Sequence, residues 1–203
     1  MGGAGESAAW VHAETREQWR SWLAAHHDTA AGAWLVSWRR VTGRPAVGYV
    51  ESVCEALCFG WVDSVQRSVD EERSRLYFAP RKPRSGWART NKLRVEELRA
   101  AGLMTAAGER AVAVAQANGS WTLLDDVEAL VEPDDLRAAL DATPPAAEHW
   151  DGFPPSARRA ILQWLVQART PATRDRRVAE TVRLAALGQR ANQGRPDRDA
   201  PPA

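Results

Sequence analysis

Strand-like alternation of side-chain character is confined to the first eighty positions of this chain, and that restricts the folds open to it. On a strand the side chains change faces at every residue; on a helix they return after three or four. Trp34, Val36 and Trp38 alternate within Ala33–Arg40, and Trp61, Asp63, Val65, Arg67 and Val69 alternate with Val62, Ser64, Gln66 and Ser68. Arg75 to Ala79 makes a third short run, separated from the second by Asp70-Glu71-Glu72, so the two read as a hairpin. Strands are expected at about 34–40, 61–69 and 74–79.

Helical spacing fills the rest. Thr15-Arg16-Glu17-Gln18 is a capping box that opens a helix carrying Trp19, Trp22, Leu23 and His26. Val50, Val53, Cys54, Leu57 and Cys58 make an apolar stripe, with Gly60 at the left-handed stop position. Ser85 is read as the cap of a helix over about 86–100 that carries Trp87, Asn91, Val95 and Leu98. Further helices are expected at 105–118, 134–141, 156–169 and 173–187. The fold class is α+β: a small antiparallel sheet packed on helices in the N-terminal half, and a mostly helical C-terminal half. The domain reading is an α+β core over 10–120, an acidic linker or helical segment over 121–151, a C-terminal helical hairpin over 152–188 and a disordered tail over 189–203. The tail assignment rests on Gly194, Pro196, Pro201 and Pro202 among scattered charges.

Charge rules out only a bulk attraction, so local patches must carry any argument for an anionic partner. With 27 basic and 26 acidic residues the formal net charge is +1, so no bulk field draws the chain to nucleic acid or an anionic membrane. No run approaches the roughly 18 apolar residues of a spanning helix, and the start has neither a positive nor an apolar leader region. The two cysteines, four apart on a helix, read as free thiols in a reducing compartment, and the expected location is the cytoplasm. No metal site is expected: adjacent residues such as His26-His27 point in different directions on a helix. No glycine-rich phosphate loop or nucleophile elbow is present, and no cofactor is expected.

Two dense segments carry the candidate chemistry, Ala56–Asp63 (ALCFGWVD) and Phe78–Lys92 (FAPRKPRSGWARTNK). With Gly102-Leu103-Met104 and Ala168–Arg177, they resemble the YdeI/OmpD-associated, bacteriocin-protection family over roughly residues 10–187. Ala172 stands where the family pattern has Glu. The resemblance implies a small bacterial stress or bacteriocin-protection protein and transfers no catalytic residue, so the residues are read on their own. Arg81, Lys82 and Arg84 sit on a proline-stiffened loop leading to a helix start, which suits an anion, and aromatic faces suit a planar group. The expected ligand residues are Trp38, Phe59, Trp61, Arg81, Ser85, Trp87, Asn91 and Lys92, for a small anionic or planar ligand. Asp63 is expected to face Arg81 across the hairpin and is the candidate general base should the protein be an acid–base enzyme. Cys58 is the weaker nucleophile, having no His in either motif. Two other readings stay open. One is purely structural, with Asp63 paired and both tryptophans in the core. The other uses the basic stretches 67–99 and 158–198 for nucleic acid, although no nucleic-acid motif supports it. Oligomeric state is not readable.

Overall fold

The computed structural model describes residues 8–192, which divide after Thr122 into two compact units. In the first unit the order is β1 (Ala9–His12), α1 (Arg16–His26), β2 (Ala33–Trp38), α2 (Tyr49–Cys58), β3 (Trp61–Ser68), β4 (Arg73–Pro80), α3 (Arg89–Ala100) and α4 (Ala106–Ala117). The sheet runs β1-β2-β4-β3, with β1 parallel to β2 and the other pairs antiparallel. The fold is α+β, and the three strands expected from alternation lie within two residues of their predicted spans. The sheet is mixed rather than wholly antiparallel, because β1 has four residues and too short a run to declare a period.

Local chemistry accounts for the helix ends. The Thr15 hydroxyl accepts from the Gln18 N–H, and the Gln18 side chain accepts from the Thr15 N–H, closing α1 at its start. Gly60 ends α2 with φ +74°, and a Cβ there would lie 3.0 Å from that of Ala111. Only glycine turns this corner while α4 packs so closely. α3 begins at Arg89, three residues later than expected, because Ser85 does not cap it: the Ser85 hydroxyl donates to Lys82 O at 2.9 Å within a turn. Asn118 and Ser120 both donate to Pro83 O, which fixes that loop.

One face of the sheet meets the helices. Trp19, Leu23, Ala33, Leu35, Leu57, Trp61, Phe78, Trp87 and Val95 are buried together there. α2 is enclosed beyond its apolar stripe: Glu55 is 1% exposed, while Val50, expected to be buried, is 54% exposed. β3 and β4 lose register between Asp63 and Gln66, where Ser64 and Val65 stand against Tyr77 alone.

The second unit is helical: α5 (Asp125–Glu128), α6 (Asp134–Asp141), α7 (Ala146–Asp151), α8 (Pro155–Val166) and α9 (Pro171–Ala186). Residues 121–151 are more than an acidic connection, since Leu124, Val127, Leu136, Leu140 and Trp150 join Ile161, Leu165 and Val182 in one core. The acidity is used locally: Arg174 binds Asp135 at 2.7 Å, and Glu132 accepts from the Trp150 indole at 2.8 Å. Ala191 is 1% exposed in the same core, so the packed chain runs past Gln189, where the tail was expected to begin. The remaining tail residues, 193–203, lie outside the described residues.

Candidate functional site

The residues singled out from sequence do not converge on one place. Phe59, Trp61 and Trp87 are core: they are 6%, 1% and 1% exposed. The Trp61 indole donates to His27 O at 3.1 Å, and Trp87 is packed between Trp121 and Arg81. Neither indole offers a face to solvent. Ser85 is spent on its own turn, Asn91 accepts from Arg94 at 2.9 Å, and the Lys92 ammonium lies 5.6 Å from the centre of the Trp121 ring.

Arg81 lies flat on Trp87 at 3.9 Å, and its backbone N–H donates to Gly60 O, joining the two motifs. One guanidinium nitrogen donates to Gly86 O at 2.6 Å; Nε and Nη1 are buried without a partner. Burial pulls this guanidinium down to about 10, and the negative charge of Asp63 acts in the opposite direction. The direct Asp63–Arg81 pair is not formed. Asp63 stands opposite Phe78 in the hairpin, so Arg81 lies three residues beyond its register partner. Asp63 accepts instead from the Tyr49 hydroxyl at 2.9 Å.

Trp38 borders a different feature, to which Asp63 is linked only through Tyr49. A cleft of about 390 Å³ opens where the inner sheet face runs out beyond the helices. Leu35 of β2 and Leu76 of β4, neighbours in register, form an apolar floor that continues to Ser37 and Ser74. Gln66 flanks Leu76, Val47 and Tyr49 rise on one side, and Trp38, Arg39 and Arg40 close the other. Arg39 is occupied by Ser68 Oγ and Asp70 O. Arg40 is exposed and has no hydrogen-bond or ion-pair partner among the described residues. Burial, then the Asp63 carboxylate, push the Tyr49 phenol up, so it holds its proton at neutral pH and acts as a donor.

Sequence reading missed Tyr49, Arg40 and Gln66. Tyr49 had a signal of its own, as one of only two tyrosines and the first residue of a helix. Gln66 had none, since the bulge decides its face.

The structure thus defines a small α+β unit with a polar-rimmed cleft, followed by an all-helical unit. Residues 129–188 match the family described as Bacteriocin-protection, YdeI or OmpD-Associated. Residues 11–111 match a different model, Domain of unknown function (DUF8412). The family match therefore covers the second unit with its Ala168–Arg177 segment, and the motifs at 56–63 and 78–92 fall in the other model. No match was found among curated proteins or among solved structures. Among the described residues, no helix is long and apolar enough to cross a membrane, and no group of His, Cys, Asp and Glu could hold a metal ion.

Proposed function

We propose that the first unit binds a small anionic ligand with a planar or apolar body, seated in the cleft over Leu35 and Leu76. The observation that carries this reading is the combination of that floor with the unpaired guanidinium of Arg40 at the rim; the Tyr49 hydroxyl, its proton given to Asp63, adds a polar oxygen beside it. The volume is at the lower end of the roughly 300–1,000 Å³ usual for small-molecule sites. An arginine suits carboxylate or phosphate, and it is placed where the ligand's other end would meet carbon. The family match of 129–188 supports setting this binding within bacteriocin protection or a stress response. The free thiols of Cys54 and Cys58 support a cytoplasmic setting, which cell fractionation would check.

The test is calorimetry and thermal shift with benzoate, 4-hydroxybenzoate and adenosine monophosphate. A probe at 100 times its dissociation constant should stabilise by about 2.7 kcal/mol. Arg40→Ala should weaken it about tenfold or more, and Leu76→Trp should block it. Absence of any shift, or binding that survives both changes, would refute the cleft as the site.

A second reading has one observation behind it. The Tyr49–Asp63 hydrogen bond sets a proton donor and a carboxylate beside the cleft, the minimum for acid–base chemistry. It ranks second because one carboxylate oxygen is already committed to Tyr49. Turnover that disappears in Asp63→Asn while probe binding persists would promote it.

A further inference from the structure

The opposite face of the sheet gathers residues that are scattered in the sequence. β2 presents Trp34, Val36 and Trp38 there, and the register sets Tyr77, Arg75 and Arg73 of β4 directly beside them. On the far side, Trp10 and His12 of β1 stand next to Trp34 and Val36, while Arg67 of β3 stands next to Arg75. None of these side chains belongs to the hydrophobic core on the helix-covered face.

Two features of this face are costly unless something binds it. Arg75 is held between two indoles, its guanidinium carbon 4.4 Å from the Trp10 ring centre and 4.2 Å from that of Trp34. Its Nε is buried with no hydrogen-bond partner. Its register neighbour is Arg67, and like charges directly opposite on paired strands destabilise them. Among the described residues neither of these arginines has a carboxylate partner. The other cations nearby are already neutralised: Arg73 is bound by Asp70, and Arg44 by Glu72 while it covers the Trp38 ring at 4.3 Å. The remaining acid, Glu14, accepts from the Trp38 indole. Uncompensated positive charge is therefore concentrated at Arg67 and Arg75, and beside it Trp10 is 54% exposed.

We propose that this face binds a single-stranded nucleic acid, with a phosphate between Arg67 and Arg75 and an unpaired base on Trp10. A phosphodiester strand supplies both what the arginines lack and a flat partner for the indole. A duplex hides its base faces, and an acidic peptide brings carboxylates without rings. The inference rests on Trp10, Arg67 and Arg75, none of which lines the cleft.

The test uses the full chain, a fluorescein-labelled twelve-nucleotide oligothymidylate and its oligouridylate counterpart, read by anisotropy and by quenching of tryptophan emission. Binding should appear at about 50 mM salt and weaken about 3-fold by about 200 mM, as one neutralised phosphate requires. Trp10→Ala should weaken it about 5- to 100-fold, the range for losing one stacked base, and Arg67→Glu at least about tenfold. A duplex of the same length should bind at least about tenfold more weakly. Whether the thymidylate or the uridylate binds tighter tells DNA from RNA. No binding of either strand at low salt overturns the proposal. So does equal binding of duplex or polyglutamate, or unchanged affinity in a Trp10→Ala protein whose circular dichroism is native. Should Trp10→Ala fail to fold, Arg67→Glu, at an exposed position, decides by the same criterion.

Discussion

Glu55 on α2 and Arg81 just past β4 are both charges withdrawn from water in the first unit, and their surroundings treat them in opposite ways. Glu55 is held by Arg16 Nε and, at 2.6 Å, by Arg20 Nη1, and Arg20 also reaches Leu103 O. Both partner guanidiniums are pushed up: for Arg16 the Glu55 hydrogen bond is the largest influence, and for Arg20 burial is the largest and lowers, but Glu55 and Cys58 together outweigh it. Arg81 has an indole beneath it, one carbonyl in reach and two nitrogens with nothing. Burial dominates there and pulls its proton affinity down. The Glu55 cluster is built as a structural joint between α1 and α2. The Arg81 corner keeps a cation where stability alone would favour carbon.

The largest expected effect breaks the joint. Arg16→Met with Arg20→Met strands the Glu55 carboxylate and should cost about 3–5 kcal/mol in urea unfolding. A loss below about 1 kcal/mol would mean that Glu55 is not held by this pair.

Arg81→Met should stay within about 1 kcal/mol of the parent, because the lost stacking on Trp87 is offset by relief of a poorly solvated charge. A cost of about 3–5 kcal/mol, as for a broken buried pair, would make the two corners alike. The sign with pH separates them further. Arg81 in the folded chain releases its proton from about pH 10 upward, below the ordinary arginine value. The unfolded chain then binds more protons, so the parent gains stability relative to Arg81→Met as pH rises past 10. Arg16 and Arg20 are shifted the other way, so their contribution is intact throughout that window. Denaturant midpoints at pH 9 and 11 test this.

Asp63→Asn should cost about 0–1 kcal/mol, since the Tyr49 link is exposed. Its sharper effect is on titration. Removing the carboxylate leaves burial as the main influence raising the Tyr49 phenol, so the late tyrosinate absorbance near 295 nm should move to lower pH. A phenol raised in the folded state contributes stability below the ordinary tyrosine value and loses it above; that loss should shrink in the variant. An unmoved titration curve would separate Tyr49 from Asp63.

The smallest effect concerns Cys58 and Cys54, whose thiols burial pushes up, in Cys58 against the opposing influence of Arg20. Neither should react with iodoacetamide at neutral pH until the chain unfolds. Rapid alkylation of Cys58 in the native protein would revive it as a nucleophile.

The strands and most helices were legible because alternation and helical spacing are local. What failed depended on a layer or a register that sequence does not carry. Trp61 and Trp87 looked like walls of a site because charges adjoin them in the chain, yet α1 and Trp121 cover them. Glu55 lies off the apolar stripe of α2, and only the arrival of Arg16 and Arg20 from α1 makes its burial tolerable. Asp63 missed Arg81 by three residues of pairing. The gathering of Trp10, Arg67 and Arg75 needs all four strands in register, one of them too short to recognise.

The extra residue at Ser64–Val65 has a consequence for how the chain behaves in a crowd. β3 is an end strand of the sheet, so its outer N–H and C=O groups have no further strand beside them. A long flat rim of that kind is a template on which other chains can polymerise. Doubling one position breaks the even spacing of those groups midway along the eight residues, leaving no straight stretch long enough to seed a fibril. Deleting Ser64 would restore the spacing, and with it the risk that newly made copies aggregate before they finish folding.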